Sequence, residues 1–179
     1  MTYCLRFLGL ALLWAAAATR LYGQVDVNCN TLVYEQNFNS LPNGANTCSS
    51  TGNFGWTDNS TLPGWFALAT TPANFAANIS NGSCNTRGIY SYGATSAPDR
   101  ALGMLGAVAT NFAVGVRFIN TTGRTIRSLR VRYTGETWRR GDSSDESGLL
   151  VSYQLNASNL TFVGTRVPEL DFNTPATVT

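Results

Sequence analysis

Apolar and polar positions alternate along several stretches of this chain with the period of a β-strand. In residues 112–120 an apolar side chain recurs at nearly every second position, and residues 126–134 and 149–155 repeat the pattern. Because successive side chains of a strand point to opposite faces, this alternation predicts strands with one buried face and one face toward solvent. The side chains expected to point inward are Phe112, Val114, Val116, Phe118, Leu129, Val131, Tyr133, Leu149, Val151, Tyr153 and Leu155.

Shorter apolar runs lie between clusters of Gly, Asn, Ser and Thr. They predict further strands at residues 31–38, 64–69, 89–92 and 160–163. No segment after residue 23 has a convincing helical period. The pattern therefore predicts an all-β domain in which antiparallel sheets pack as a β-sandwich.

The first residues are typical of a secretory signal peptide. Arg6 supplies a positive charge, and residues 7–18 (FLGLALLWAAAA) form an apolar run that ends shortly before Gly23. This run is too short to cross the roughly 30 Å hydrocarbon core of a bilayer. We therefore expect residues 1–23 to be removed and residues 24–179 to form one domain. The product would be secreted or held at the cell surface, with no membrane span.

Composition removes several classes of chemistry. Charged residues make up only 12% of the chain, all 12 basic residues are Arg, and there is no His. Catalysis by Ser–His or Cys–His pairs and His-ligated zinc are therefore excluded. Once Arg6 and Arg20 leave with the leader, equal numbers of Arg and acidic residues remain, so the charge balance gives no support for nucleic-acid binding. We expect no catalytic residues and no enzyme activity.

Three cysteines, Cys29, Cys48 and Cys84, remain when Cys4 is removed with the leader. In an oxidising compartment this number favours one disulfide and one free thiol. All three pairings are open. The sequence favours Cys48–Cys84, because both lie in stretches rich in Asn, Ser and Gly that could meet at one end of a sandwich. The cysteine spacing matches no zinc motif.

The densest group of candidate binding residues lies in residues 133–140 (YTGETWRR). Gly135 permits a bend that would bring Glu136, Trp138 and Arg139 together. In a binding site, Trp138 would stack on a sugar ring while Glu136 and Arg139 hydrogen-bond to its hydroxyl groups. In a purely structural corner, Trp138 would cover the core and Glu136 would pair with a nearby Arg.

A second candidate binding surface is aromatic. Trp56, Trp65 and Phe66 flank the turn at Pro63. Neighbouring residues of one strand cannot both point inward, so either Trp65 or Phe66 should face solvent or lie under a loop. Exposed together, these rings would suit a polysaccharide; buried, they belong to the core.

Two groups of charged residues are candidates for other roles. Asp142, Asp145 and Glu146 lie close together in one loop, where their carboxylates could bind calcium, although acidic loops are usually just solvated. Two carboxylates also suffice for glycoside hydrolysis, but a mobile loop cannot hold them at a fixed separation. Arg130 and Arg132 point outward from a predicted strand and, with Arg117, could form a small basic stripe across neighbouring strands. The usual alternative, which we expect, is a solvated face paired with Asp and Glu.

Five segments, in this order and spacing, resemble a group of secreted bacterial β-sandwich domains of predicted extracellular proteins. They are residues 38–42 (FNSLP), 62–65 (LPGW), 90–93 (YSYG), 99–103 (DRALG) and 133–139 (YTGETWR). The resemblance covers nearly all of the predicted mature chain and implies a lectin-like jelly-roll sandwich of the concanavalin type. Members of the group typically continue through further strands to an Asp-rich closing segment. This implies that the chain lacks its last strands. The resemblance implies no activity.

Three functions are compatible with these features. The first is an exported, non-catalytic β-sandwich module that binds carbohydrate or another surface polymer, with no cofactor unless calcium is bound. The second is an accessory module of a secreted hydrolase of the nuclease or phosphatase type, whose catalytic part lies elsewhere. The third is a purely structural domain of the cell surface. The sequence predicts no oligomeric state.

Overall fold

The protein is built almost entirely of β-strands and loops. The structure is a computed structural model that describes residues 23–107, 109–139 and 148–174. Within these ranges it has eleven strands and two short 3₁₀ turns, at Pro72–Asn74 and Pro168–Leu170. The strands are β1 Val25–Val27, β2 Trp65–Ala69, β3 Ala77–Ser80, β4 Gly88–Tyr92, β5 Ala101–Leu105, β6 Phe112–Val116, β7 Phe118–Asn120, β8 Gly148–Leu149, β9 Ser152–Tyr153, β10 Thr165–Arg166 and β11 Phe172–Asn173. The predicted all-β class is confirmed.

The three-stranded sheet β3-β4-β5 forms the best-buried part of the described chain. Strand β4 lies in the middle, parallel to β3 and antiparallel to β5. All five of its residues are buried, and the side chains of Ile89 and Tyr90 have no exposed surface. A strand with neighbours on both edges has its backbone groups paired, so burial leaves no polar backbone unsatisfied.

The remaining strands form four two-stranded ladders. Strands β2 and β6 pair antiparallel over five residues, and β1 pairs with β7 in parallel. Two shorter antiparallel ladders join β9 to β10 and β8 to β11. How these ladders pack as a sandwich stays a prediction. Within the described ranges no helix is long and apolar enough to cross a membrane. The predicted signal peptide falls almost entirely on residues outside those ranges.

The buried Arg100 hydrogen-bonds to two other segments of the five that carry the family resemblance, residues 38–42 and 90–93. The backbone N–H of Arg100 donates to Oδ1 of Asn39 at 2.9 Å, and its side-chain Nε donates to Oγ of Ser91 at 2.9 Å. The guanidinium also donates to the backbone carbonyls of Ser91 and Ala94. Arg100 is only 3% exposed, and this burial lowers the pKa of its guanidinium, an effect that Asp99 opposes. These polar contacts replace the water that the buried charge has lost.

Several predicted strands are confirmed and others are not. Strands β2 and β4 lie where residues 64–69 and 89–92 predicted them. Residues 126–134 and 160–163 form no strand, and residues 31–38 contribute only an isolated bridge between Asn28 and Thr31. These predictions were wrong because alternation defines two faces, whereas a strand also needs a backbone neighbour. Leu129, Val131 and Tyr133, predicted to point inward, are exposed.

Two predicted strands are each divided in two. Residues 112–120 split at Arg117, whose N–H bonds to Gly64 and whose carbonyl accepts the N–H of Val25, so the chain changes partner from β2 to β1. Residues 149–155 split into β8 and β9, which pair with different strands. The predicted inward positions in these stretches are therefore wrong for the exposed Phe118, Tyr153 and Leu155. The other inward positions, Phe112, Val114, Val116, Leu149 and Val151, are half-buried.

Sequence patterns did not predict five of the strands. Strand β3 (ANIS) has small and polar residues and buries Asn78 and Ser80 completely, and β5 (ALGML) is apolar throughout, so neither alternates apolar with polar residues. Asn78 is satisfied by Ser49, whose carbonyl accepts its amide at 2.9 Å. Strands β1, β10 and β11 have only two or three residues, too few for any period to be read.

Candidate functional site

Trp138 lies against the buried sheet and forms the centre of the candidate site. Its indole stacks on the ring of Tyr92, with centroids 6.0 Å apart and an interplanar angle of 6°. Tyr92 in turn stacks on Tyr90, with centroids 5.0 Å apart. The two tyrosines share one face of β4 because they are two residues apart on a strand. Trp138 therefore ends a row of three rings and remains half-buried.

Gly82 brings the Trp138 segment close to the connection between β3 and β4. It has a φ of +96°, and a Cβ at this position would collide with the backbone carbonyl of Trp138. Glycine is the residue that accepts both this φ and this close approach. The chain after residue 134 is thereby placed over the disulfide end of the sheet without belonging to a strand.

Glu136 contacts the indole, and Arg139 follows Trp138 directly in the chain. The indole Nε1–H of Trp138 donates to Oε2 of Glu136 at 2.7 Å. Arg139 is exposed, and its Nη1 donates to the carbonyl of Ser83 at 3.3 Å. The alternative expectation, an ion pair between Glu136 and an arginine, is not found among the described residues, since the carboxylate binds the indole instead.

The tyrosines beneath Trp138 are held in their neutral form. Burial raises the pKa of Tyr92 well above its ordinary value, and the neighbouring Tyr90 raises it further. Burial also raises the pKa of Tyr90. Arg139 acts in the opposite direction on both phenols, because a nearby positive charge favours phenolate. The row of rings is a neutral, apolar support and offers no general base at neutral pH.

A disulfide anchors this end of the sheet. Cys48 and Cys84 are bonded with an S–S distance of 2.08 Å, the pairing that the sequence favoured, and Cys29 is free and exposed. Cys84 is buried against Tyr90 and Tyr92. The bond thus joins the loop before β3 to the connection after it, directly beneath the candidate site.

A set of amide and hydroxyl groups lies next to the disulfide. The side-chain Nδ2 of Asn46 donates to Oδ1 of Asn81 at 2.9 Å and to Oγ of Ser83 at 2.7 Å. Ser83 also supplies the carbonyl that Arg139 reaches. Asn46, Asn81 and Ser83 therefore form a polar network that Arg139 reaches, and the backbone of Trp138 passes close to Gly82 within the same connection.

The other predicted tryptophans are not part of this site. Trp65 belongs to a second aromatic cluster: its ring packs edge-on against Phe38 at 5.0 Å, and its Nε1–H donates to the hydroxyl of Tyr34 at 2.7 Å. Trp56 donates to Oδ1 of Asp58 at 2.7 Å. Trp65 and Phe66 are both half-buried, so neither is wholly turned to solvent. No ring contact in the described chain joins Trp56, Trp65 and Trp138 into one strip.

The predicted calcium ligands Asp142, Asp145 and Glu146 lie outside the described residues. Elsewhere in the described ranges, no group of three or more Cys, Asp or Glu side chains is arranged to hold a metal ion. The calcium site stays a prediction.

Arg130 and Arg132 lack the acidic partners that we expected for them among the described residues. We predicted that Arg130 and Arg132 would pair with acidic residues, but the ion pair found in the described chain joins Arg166 to Asp171. Arg132 lines an open cavity of about 440 Å³ together with Tyr133, Gly135 and residues 169–172. Nothing in the alternation of residues 126–134 predicted this cavity, because it forms against a segment more than thirty residues later in the chain.

Comparisons with known proteins add no assignment. No family model, curated protein or solved structure matches this chain. The resemblance to secreted bacterial sandwich domains stays a prediction. All five of its segments meet in the fold: Phe38 packs on Trp65, Asn39 binds Arg100, Arg100 binds Ser91, and Tyr92 stacks on Trp138.

Proposed function

We propose that this protein is an exported, non-catalytic β-domain that binds carbohydrate through Trp138, with Glu136 and Arg139 as hydrogen-bonding partners. The observation that carries the proposal is the parallel stack of Trp138 on Tyr92, with Glu136 fixed at the indole edge. An aromatic ring held flat, with a carboxylate at its edge and an exposed guanidinium on the next residue, has the chemistry that a sugar ring requires.

The support beneath the indole favours binding because it limits the entropy lost when a ligand docks. Tyr92 fixes one face of the ring and Glu136 fixes its N–H, so Trp138 is held before any ligand arrives. An aromatic side chain that is already ordered costs less to immobilise than a free one. Arg139 is exposed and, among the described residues, donates to one backbone carbonyl, which leaves other guanidinium donors for hydroxyl groups.

Export rests on two supports. One is the predicted leader, and the other is the Cys48–Cys84 disulfide, a bond that is typical of oxidising compartments. The lack of catalytic function rests on the absence of His from the whole sequence and on the neutral tyrosines at the site.

Retention of the folded protein on insoluble polysaccharides tests this function. We expect Trp138→Ala to abolish retention on at least one of cellulose, chitin and xylan. Trp65→Ala, which removes a tryptophan from the other aromatic cluster, is the matched control and should leave retention intact. Circular dichroism and a denaturation curve verify that each variant folds. No retention of the unmodified protein on any polymer, or equal loss in both variants, would reject the proposal.

A purely structural domain is the second candidate. It is favoured by the contact of Trp138 with the core cluster of Cys84, Tyr90 and Tyr92, which gives the indole a packing role without any ligand. In that case Trp138→Ala lowers the free energy of unfolding and changes no retention. Glu136→Gln distinguishes the binding domain from the structural domain further, because it keeps an acceptor for the indole Nε1–H while removing the negative charge of the carboxylate.

A further inference from the structure

Tyr92 carries a hydroxyl group that no described residue satisfies. The residue is only 4% exposed, and its ring stacks on both Tyr90 and Trp138. A Cβ at Gly103 would collide with the same ring, so the absence of a side chain there also fixes its position. In the described chain the hydroxyl makes no hydrogen bond. Buried polar side chains almost always have a partner, so a free hydroxyl on a buried ring points to a ligand.

The Tyr92 hydroxyl can be reached from solvent. Within the described ranges, the fully buried side-chain polar atom without a partner is Nε of Arg87 and not this hydroxyl, which therefore keeps some contact with solvent. The rings of Tyr92 and Trp138 are nearly parallel with centroids 6.0 Å apart. If their planes lie at the usual contact distance of about 3.5–4.0 Å, the rings are offset sideways by about 4–5 Å. The indole therefore covers the Tyr92 ring incompletely.

Arg139 supplies a second donor group at the same end of the sheet. Its Nη1 donates to the carbonyl of Ser83 at 3.3 Å, and Ser83 precedes Cys84, which packs in the core cluster with Tyr92. Burial raises the pKa of Tyr92, and the positive charge of Arg139 opposes that rise, so the guanidinium acts on this phenol. The guanidinium has five N–H donors, of which one is used here. A neutral hydroxyl and a guanidinium thus form a pair of donors that lacks an acceptor.

We propose that the ligand of this domain is an acidic polysaccharide: one sugar stacks on Trp138, and a carboxylate of the adjoining sugar accepts hydrogen bonds from the Tyr92 hydroxyl and the Arg139 guanidinium. This proposal rests on the proposed function and names the class of carbohydrate. A carboxylate has two acceptor oxygens and can bind both donors at once. Hydrogen bonds to a charged acceptor are about twice as strong as those between neutral groups.

The charges around Trp138 favour an acidic sugar over a neutral or basic one. A neutral sugar would leave the charge of Arg139 without a counter-charge, and an amino sugar would bring a second positive charge toward it. Glu136 is bonded to the indole N–H, where it can accept from the hydroxyls of the stacked sugar. Among the charged groups of the described chain it is Arg139, and not Glu136, that acts on Tyr92. The acidic group of the protein and that of the ligand are therefore assigned to different positions.

Titration calorimetry with polygalacturonate and with its fully methyl-esterified form tests the proposal. The two polymers share the sugar ring and its hydroxyls, but the ester has no negative charge. We expect the acid form to bind at least about tenfold more tightly than the ester. Tyr92→Phe, which keeps the ring and removes the hydroxyl, should lower this ratio of affinities at least about fivefold. Arg139→Gln should lower it to a similar extent, and it decides the test if Tyr92→Phe does not fold.

Two variants provide matched controls for these changes. Tyr90→Phe removes a hydroxyl from the same row of rings, but this hydroxyl is already bonded to the carbonyl of Thr86. Arg117→Gln removes another exposed arginine that donates to one backbone carbonyl, that of Ser158. Both variants should leave the ratio of affinities for the acid and ester forms unchanged.

Three results would overturn the proposal. The first is binding of the acid form that is absent or no tighter than that of the ester. The second is an unchanged ratio in Tyr92→Phe and Arg139→Gln. The third is equally tight binding of dextran sulfate that Tyr92→Phe does not affect, which would mean attraction of any polyanion.

The same measurements separate this proposal from carbohydrate binding in general. If Trp138→Ala abolishes binding of acid and ester forms that bind equally well, the domain binds neutral sugars, and only the acidic ligand is rejected. If neither form binds and no neutral polysaccharide retains the protein, the proposed function is rejected as well.

Discussion

Strand β4 and residues 126–134 both carry large side chains at every second position, yet one is buried and the other exposed. In β4, Tyr90 and Tyr92 pack beneath Trp138 while β3 and β5 pair with its two edges. In residues 126–134, Leu129 and Val131 face solvent and the backbone has no ladder. The difference teaches that backbone neighbours decide whether an alternating segment enters the core. A side-chain pattern only makes burial possible.

Truncation of one aliphatic side chain in each region gives the largest expected contrast. Ile89→Ala in β4 should lower the free energy of unfolding by about 2–5 kcal/mol, because it leaves a cavity in a fully buried position. Leu129→Ala should change it by less than about 0.5 kcal/mol, as is usual at the surface. Urea denaturation measures both. A similar cost for the two variants would mean that residues 126–134 are packed in solution.

Removal of the disulfide should have the next largest effect. The bond between Cys48 and Cys84 closes a loop with a sequence separation of 36 residues at the edge of the buried sheet. Cys48→Ala with Cys84→Ala is expected to cost about 2–4 kcal/mol, since the unfolded chain gains freedom. Cys29→Ala, at the exposed free cysteine, is the control and should be neutral. Melting temperatures with and without reductant provide an independent check.

Two arginines, the buried Arg100 and the exposed Arg130, allow the same comparison between buried and exposed positions for a charged side chain. Arg100→Ala should destabilise the protein by about 1–3 kcal/mol, because the carbonyl and hydroxyl of Ser91 lose their buried donor. Arg130→Ala, at an exposed arginine that makes no ion pair within the described ranges, should leave stability almost unchanged. If both variants unfold at the same denaturant concentration, the contacts of Arg100 contribute nothing.

The smallest effect at neutral pH concerns the phenols beneath Trp138. The pKa of Tyr92 is raised in the folded state, so the native protein keeps a proton that the unfolded chain loses above about pH 10. Stability from this source is therefore complete below that pH and declines as the pH rises further. Tyr92→Phe should reduce the alkaline decline in the free energy of unfolding, which urea curves between about pH 8 and about pH 11 measure. If the free energy of unfolding of Tyr92→Phe falls with pH as steeply as that of the unmodified protein, burial of Tyr92 does not raise its pKa.

Local features of the sequence predicted the parts of the fold that depend on local chemistry. The runs at β2 and β4 carry aromatic residues next to Gly, and both form strands. The favoured pairing of Cys48 with Cys84 is found, and Glu136 meets Trp138 across a short bend. In each case the contact joins residues that are close in the sequence, or the residue type, as for cysteine, leaves only a few possible partners.

The features that escaped prediction depend on contacts between distant segments. Strand β3 buries Asn78 because Ser49, in a loop far before it, accepts its amide. The cluster of Tyr34, Phe38 and Trp65 forms without any strand at residues 31–38. Trp56 and Trp65 share no ring contact among the described residues, and Trp56 is joined to β2 through Asp58, whose Oδ1 also accepts the N–H of Ala67. The spacing of apolar and polar residues along the sequence does not indicate which distant segments will be in contact.

The pairing of β1 with β7 has a consequence for the order of folding. Val25 meets Phe118, a partner about 90 residues later in the chain, whereas β4 and β5 meet across a short connection. Closing a long loop costs more entropy, so the sheet of β3, β4 and β5 should form first. During synthesis β1 cannot pair until β7 has left the ribosome. Strand β1 is therefore made before the other described strands but is among the last to pair.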